Sequence, residues 1–171
     1  MVTLIERTAL SEFALKSLFA HIPTAVTVVT AGSGTKRYGA TVGTLGALSL
    51  DPPLLMFALK EASGLLQRLS KGSRIGINVL TAEQFAIARR FATPDMDRFG
   101  LTHWCEEHAL PRIDNALVWA TAHVRDHLPL GDHVLITALI DHAEAETGTP
   151  LIYWQRQFNS LAKIEERGSP A

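Results

Sequence analysis

The chain has 171 residues, of which 47% are apolar and 19% charged, with sixteen Lys and Arg against seventeen Asp and Glu. This is the length and composition of one globular domain with a sizeable core, not of a disordered chain. A net charge of −1 gives no basic excess for nucleic acid or for an anionic membrane surface, and the single cysteine, Cys105, excludes an intramolecular disulfide and a Cys-rich zinc site.

The first residues carry acids early and lack the apolar run of a secretory signal. No stretch approaches a membrane-spanning length of about 18 uncharged residues. A cytoplasmic chain is expected, one domain over 1–171 with its core at about 10–161 and a flexible tail at 165–171.

Thr8 to Ala20 reads as a helix, because Leu10, Phe13, Ala14, Ser17 and Leu18 recur at helical spacing. Pro23 breaks the chain, and the β-branched run Ala25 to Thr30 reads as a strand. Gly32 to Arg37 is turn-rich, and Tyr38 to Leu45 reads as the returning strand of a hairpin. Asp51-Pro-Pro53 cannot lie inside a central strand, since proline donates no ladder hydrogen bond. Leu54 to Leu59 follows as a buried strand, and Ser63 can cap a helix to about Ser70. Arg74 to Leu80 reads as strand. Thr81-Ala-Glu-Gln84 fits a capping box for a helix from Ala82 to about Phe91, and Thr93-Pro94 reads as the start of a short helical turn. Ala116 to His127 and His133 to Ala143 are β-leaning runs joined at Pro129-Leu-Gly-Asp132, and Leu151 to Trp154 is a last short strand. Six or seven strands, mostly hairpin-linked, predict an antiparallel barrel with helices around it.

Several local motifs are weighed by what their chemistry requires. Gly32-Ser-Gly34 is no dinucleotide fingerprint, because Arg37 stands where the third glycine belongs and a strand follows. His103, Cys105 and His108 match no closed zinc spacing, so no metal site is expected. Adjacent Glu106 and Glu107 make a poor acid/base pair, and Gly-x-Ser-x-Gly is absent. Thr41 to Ser49 is rich in small and hydroxyl residues, which suits either a barrel corner or a close approach of ligand to backbone. Ser63-Gly64, with Lys60 upstream, suits either a plain cap or an anion. Gly131-Asp-His133 is a tight turn that can also place an imidazole at a ligand.

The order of these segments carries more than any one of them. It runs Pro23-Thr-Ala-Val-Thr-Val-Val-Thr30, Gly39-Ala-Thr-Val-Gly-Thr44, Leu48-Ser-Leu-Asp-Pro-Pro-Leu54, the segment led by Ser63 and Ile77-Asn-Val-Leu80. It continues with Arg90-Phe-Ala92, Asp97-Arg-Phe99, Gly131-Asp-His133 and Pro150-Leu-Ile-Tyr153. The chain resembles the flavin reductase family that supplies reduced flavin to two-component monooxygenases. The resemblance implies a mainly β fold, an FMN-binding split barrel, antiparallel and Greek-key-like, with peripheral helices. It also implies a homodimer and an oxygenase partner. The implied activity is NAD(P)H-dependent reduction of FMN or FAD by hydride transfer, with NADH or NADPH as co-substrate. A flavin-retaining redox protein and a non-enzymatic binding module are the alternatives.

The same resemblance implies site residues. The loop with Thr41, Val42, Gly43, Thr44 and Leu45, followed by Ala47 and Ser49, would hold the isoalloxazine, largely through backbone groups. Lys60, Ser63 and Gly64 would hold the phosphate end, and Arg98 would lie near the flavin. His133, as the catalytic residue, and Tyr153 would meet the nicotinamide. Two departures stand out. Gly43-Thr-Leu45 replaces the family's common Asn-Ser-Phe, and Leu65 replaces a hydroxyl residue.

Overall fold

A computed structural model describes residues 11–94 and 96–161. The expected tail, 165–171, and the expected helix start, Thr8 to Leu10, lie outside them. Helix α1 spans Glu12–Ala20 and is capped by Ser11, whose Oγ accepts from the Ala14 N–H at 3.1 Å. No residue of α1 is buried, and Phe13 is 80% exposed. Its C-terminal end is tied to the rest of the chain: the Gln155 N–H donates to Ala20 O at 2.7 Å, and Trp154 Nε1 donates to His21 O at 3.2 Å.

The fold is mainly β, and its strands pair antiparallel. The strands are β1 (Thr24–Ala25), β2 (Thr27–Ala31), β3 (Tyr38–Val42), β4 (Gly46–Leu50), β5 (Pro53–Lys60) and β6 (Arg74–Val79). They continue with β7 (Trp104–Glu107), β8 (Leu110–Ile113), β9 (Val118–Leu130), β10 (His133–Ala145), β11 (Leu151–Trp154) and β12 (Gln157–Ser160). Seven form one sheet in the order β3-β2-β6-β9-β10-β5-β4, with β1-β11-β12 and the β7-β8 hairpin beside it.

The two edge strands of the large sheet, β3 and β4, are consecutive in the chain and joined only by Gly43, Thr44 and Leu45. Laid flat, strands about 4.8 Å apart would separate these edges by at least about 29 Å. The link from Val42 to Gly46 reaches at most about 14 Å. The sheet must therefore curl until its edges meet, and it does so around a core.

Alternation along the strands fills that core. Leu55, Phe57 and Leu59 of β5 lie beside their register partners Ala138, Ile136 and Val134 of β10 on the inner face of the sheet, in one core with Val29, Ile75 and Ile77. Strand β2 is buried along its whole length because it lies between two cores. Its other face, Val28 with neighbouring Val26, packs under Phe91, Phe99, Ile113 and Leu151. Two buried polar side chains dock the β7-β8 hairpin there. Thr30 Oγ1 donates to Pro111 O at 2.8 Å, and Asn78 accepts from the Ile113 N–H at 2.8 Å.

Several elements differ from the sequence expectation. The strand expected over Ala25 to Thr30 is interrupted at Val26, whose N–H bonds to Leu151 O instead. The strand from Tyr38 stops at Val42, and residues expected to continue it or form a corner become the closing loop and β4. The helix expected from Ser63 to Ser70 is one 3-10 turn, Leu66–Arg68, because Leu65 and Leu69 are drawn into the barrel and Leu69 is already extended. The Thr81 capping box forms, with a 3-10 turn at Ala82–Gln84 leading into α2 (Phe85–Ala92). Thr93 ends α2 with extended backbone, and the helical turn expected after it runs through Asp95, which lies outside the described residues. Strands β4, β7, β8 and β12, with the division of the first expected strand into β1 and β2, take the described count to twelve, beyond the six or seven expected. Among the described residues no helix is long and apolar enough to cross a membrane.

Gly76 tests the packing between the two cores. A Cβ there would lie 2.5 Å from Thr30 Oγ1 and 2.6 Å from Trp119 Cζ3. Gly76→Ala is expected to destabilise the fold by about 1–3 kcal/mol, read as a lower urea midpoint with an unchanged slope.

Candidate functional site

The loop that closes the barrel is also the loop singled out from sequence. Thr44 fixes it to β5: its Oγ1 accepts from the Ala58 N–H at 2.8 Å and donates to Ala58 O at 3.1 Å. The Val42 side chain is buried in the barrel, and Leu45 packs against the same core. Those two residues therefore have only backbone groups to offer a ligand. Gly43 sits against Thr24, where a Cβ would come within 3.0 Å of Thr24 Oγ1, so an amide side chain has no easy place there. Ala47 and Ser49 lie on β4, whose register with β5 shifts between them at Leu48.

Lys60, Ser63, Gly64 and His133 gather at the far end of β5. His133 and Lys60 are register partners, the Glu61 N–H donates to Asp132 O at 3.3 Å, and the Ser63 N–H donates to Lys60 O at 2.8 Å. Ser63 and Gly64 head a 3-10 turn and not an α-helix, so the helix-dipole contribution expected there is absent. Lys60 supplies the local positive charge. His133 Nδ1 lies 2.8 Å from Asp132 Oδ1. A carboxylate only accepts, so Nδ1 carries the proton of this bond and Nε2 is left for a ligand. The hydrogen bond from His133, reinforced by its charge, holds the Asp132 carboxyl below the usual carboxylate range.

Thr41, Gly43 and Tyr153 meet elsewhere, in an open cleft of about 1030 Å³ between β3, α2 and the β11-β12 hairpin. Thr41 Oγ1 donates to Ala88 O at 2.7 Å, which ties β3 to α2. The Tyr153 ring packs edge-on to Phe158 at 5.4 Å. Arg98 is committed to the backbone, donating to Gly39 O at 2.7 Å and Thr93 O at 3.1 Å. It positions β3 against the end of α2, and only its Nε is buried without a partner among the described residues. The predicted residues thus fall into two groups, with the Gly43–Leu45 loop between them.

His103, Cys105 and His108 are not brought together as a ligand set. His108 instead meets Glu107 and His142, whose ligand atoms lie within 4.8 Å of one another. Arg112 bridges Glu107 and Glu144 at 2.8 and 2.9 Å, and His142 bonds Glu144 at 3.1 Å, so this cluster ties the β7-β8 hairpin to β10. Partial burial, then Asp114 and Glu107, push the Cys105 thiol up, the opposite of an activated nucleophile.

Residues 19–162 match the Flavin reductase like domain. The chain belongs to this family. It is 37% identical over 158 residues to a flavin reductase (NADPH) of Lentzea aerocolonigenes, covering 88% of this chain and 89% of that protein. It is 32% identical over 143 residues to the reductase component of a 4-nitrophenol 4-monooxygenase/4-nitrocatechol 2-monooxygenase of Rhodococcus opacus, covering 84% and 77%. Among solved structures, the NADH:FAD oxidoreductase SgcE6 of Streptomyces globisporus C-1027, in complex with NAD and FAD fragments, superposes with a TM-score of 0.86 at 25% identity, covering 96% of this chain and 100% of that one.

Both departures from the family's pattern have a packing aspect. Leu65 is 3% exposed and belongs to the barrel core, so this position serves packing and offers no hydroxyl. Leu45 likewise supports the loop from inside. The family's motif order could not indicate Phe85, Arg89, Arg156 or Phe158, which line the cleft from α2 and the β11-β12 hairpin. The signal nearest to them was the Thr81 capping box, which locates α2 but not the face it shows.

The Asp132–His133 contact has a pH signature. A carboxyl held low contributes to the fold above its unfolded pKa, and the contribution is lost as pH falls through the folded value. NMR titration is expected to place Asp132 below the usual carboxylate range, and His133→Ala to move it back up. An unchanged midpoint in the variant would show that the contact does not operate in solution.

Proposed function

We propose that this chain is an NAD(P)H:flavin oxidoreductase that passes reduced FMN or FAD to a separate oxygenase in the cytoplasm. The observation that carries this reading is the Gly43–Leu45 loop, pinned by Thr44 beside a cleft with aromatic and cationic lining and no carboxylate among the described residues. At about 1030 Å³, the cleft is at the upper end of ordinary small-molecule sites, a size that suits a nucleotide. The bound cofactors would supply hydride transfer from nicotinamide to flavin, chemistry that needs no protein nucleophile.

The residues of this chain bind and orient. The backbone of the β3-β4 loop meets the flavin ring edge, because the side chains of Val42 and Leu45 are turned into the core. Thr44 keeps that backbone in place before any ligand arrives, which lowers the ordering cost of binding. Lys60, with Ser63 and Gly64, meets the phosphate. Asp132 sets the orientation of the His133 ring, leaving Nε2 toward the nicotinamide.

A homodimer completes the proposal. The outer face of β5 and β10 carries half-buried Leu54, Met56, Leu135 and Leu139, and next to it Leu50 of β4 is 96% exposed. An apolar sheet face of this kind suits a second copy.

Two measurements test these readings. NADH or NADPH oxidation is expected only when FMN or FAD is added, and His133→Ala is expected to lower nicotinamide turnover more than flavin affinity. No stimulation by either flavin with either nucleotide overturns the activity. Light scattering is expected to give twice the chain mass, and Leu50→Asp to shift the protein toward monomer. A monomeric wild type overturns the dimer.

A further inference from the structure

The cleft carries an unusual charge pattern for a chain of net −1. It is lined by Arg89 of α2 and Arg156 of the two-residue turn between β11 and β12, and by no Asp or Glu among the described residues. Neither guanidinium makes an ion pair or side-chain hydrogen bond with a described residue. In a concave site, two such groups focus a positive potential and raise the local concentration of anions. Arginine presents a planar fork of donors that matches a phosphoryl group. The same cleft is lined by Phe85, 49% exposed, and by the Tyr153–Phe158 edge-on pair, apolar faces on which a purine can stack.

The distinction between NADH and NADPH is one phosphoryl group, on the adenosine 2′ oxygen. In doubly wound dinucleotide-binding folds a carboxylate meets the free ribose hydroxyl of NADH and an arginine meets the phosphate of NADPH, and the same charge complementarity holds on any fold. This cleft offers two arginines and no described carboxylate. We propose that Arg89 and Arg156 form the recognition site for the adenosine 2′-phosphate, so that the protein selects NADPH over NADH. The inference rests on the reductase reading above and adds its co-substrate specificity. The chemistry at the pair is phosphate recognition, so the phosphate of a flavin nucleotide is the competing source.

Calorimetric binding of NADP+ and NAD+ to the full chain, without flavin, separates the cases. NADP+ is expected to bind at least about tenfold more tightly, in keeping with charge-assisted hydrogen bonds to one added phosphoryl group. Arg89→Ala and Arg156→Ala are each expected to lower NADP+ affinity about tenfold more than NAD+ affinity. 2′,5′-ADP should compete, and 5′-AMP far less. Both arginines are on the surface, and circular dichroism confirms that each variant is folded. Equal affinity for the two dinucleotides, or equal losses in the variants, overturns the proposal. So does a loss confined to FMN relative to riboflavin, which would assign the pair to the flavin phosphate. NADH-specific turnover with added flavin removes this inference and leaves the reductase reading standing. If neither dinucleotide binds and neither is oxidised, both readings fall.

Discussion

A three-residue link between the two edges of a seven-stranded sheet is the constraint on which the rest of this structure depends. It cannot be satisfied by a flat sheet, so the chain closes around one core. Closure brings the β3 and β4 ends together without pairing them, and the residues in the gap keep backbone groups that no ladder uses. Thr44 pins the gap to β5 through its side chain, which bonds both backbone groups of Ala58 and leaves the gap's own peptide groups unused. What remains free is a short, fixed segment of peptide at the mouth of a cleft. The same geometry closes the barrel and prepares a ligand site.

The second core explains where the cleft lies. Strand β2 is covered on both faces, and its outer cover is built from α2, the β7-β8 hairpin and β11. Thr30 and Asn78 place hydrogen bonds inside this layer, where an unpaired polar group would cost about 1–3 kcal/mol. Those bonds hold the hairpin, Arg98 holds β3 to the end of α2, and Thr41 holds β3 to its middle. The walls of the cleft are thus set by directional contacts as well as by apolar packing.

Parts of this were legible in the sequence and parts were not, for physical reasons. The β-branched run at Thr27–Ala31 and the alternation of β10 report burial directly. The Thr81 capping box reports a helix start through chemistry confined to four residues. Ser63 carries a similar signal, but a cap says where a helix can begin and not whether Leu65 and Leu69 will be taken by the barrel instead. Strands β7 and β4 are largely exposed, so neither shows the alternation that marks a half-buried strand. In the site, the loop and the Asp132–His133 turn were legible because each is contiguous in the chain. Arg89 and Arg156 become neighbours of one cleft only through the packing of α2 against the β11-β12 hairpin.

Helix α1 touches the rest of the protein in an uncommon way. With none of its residues buried, it is held to the other described residues by two hydrogen bonds at its C-terminal end, from Gln155 and Trp154. Gln155 is the residue before Arg156. The turn that presents a cleft arginine is thus bonded through its backbone to a helix whose Phe13 and Phe19 stand in solvent, so the cleft wall and that apolar surface share one short covalent and hydrogen-bonded path.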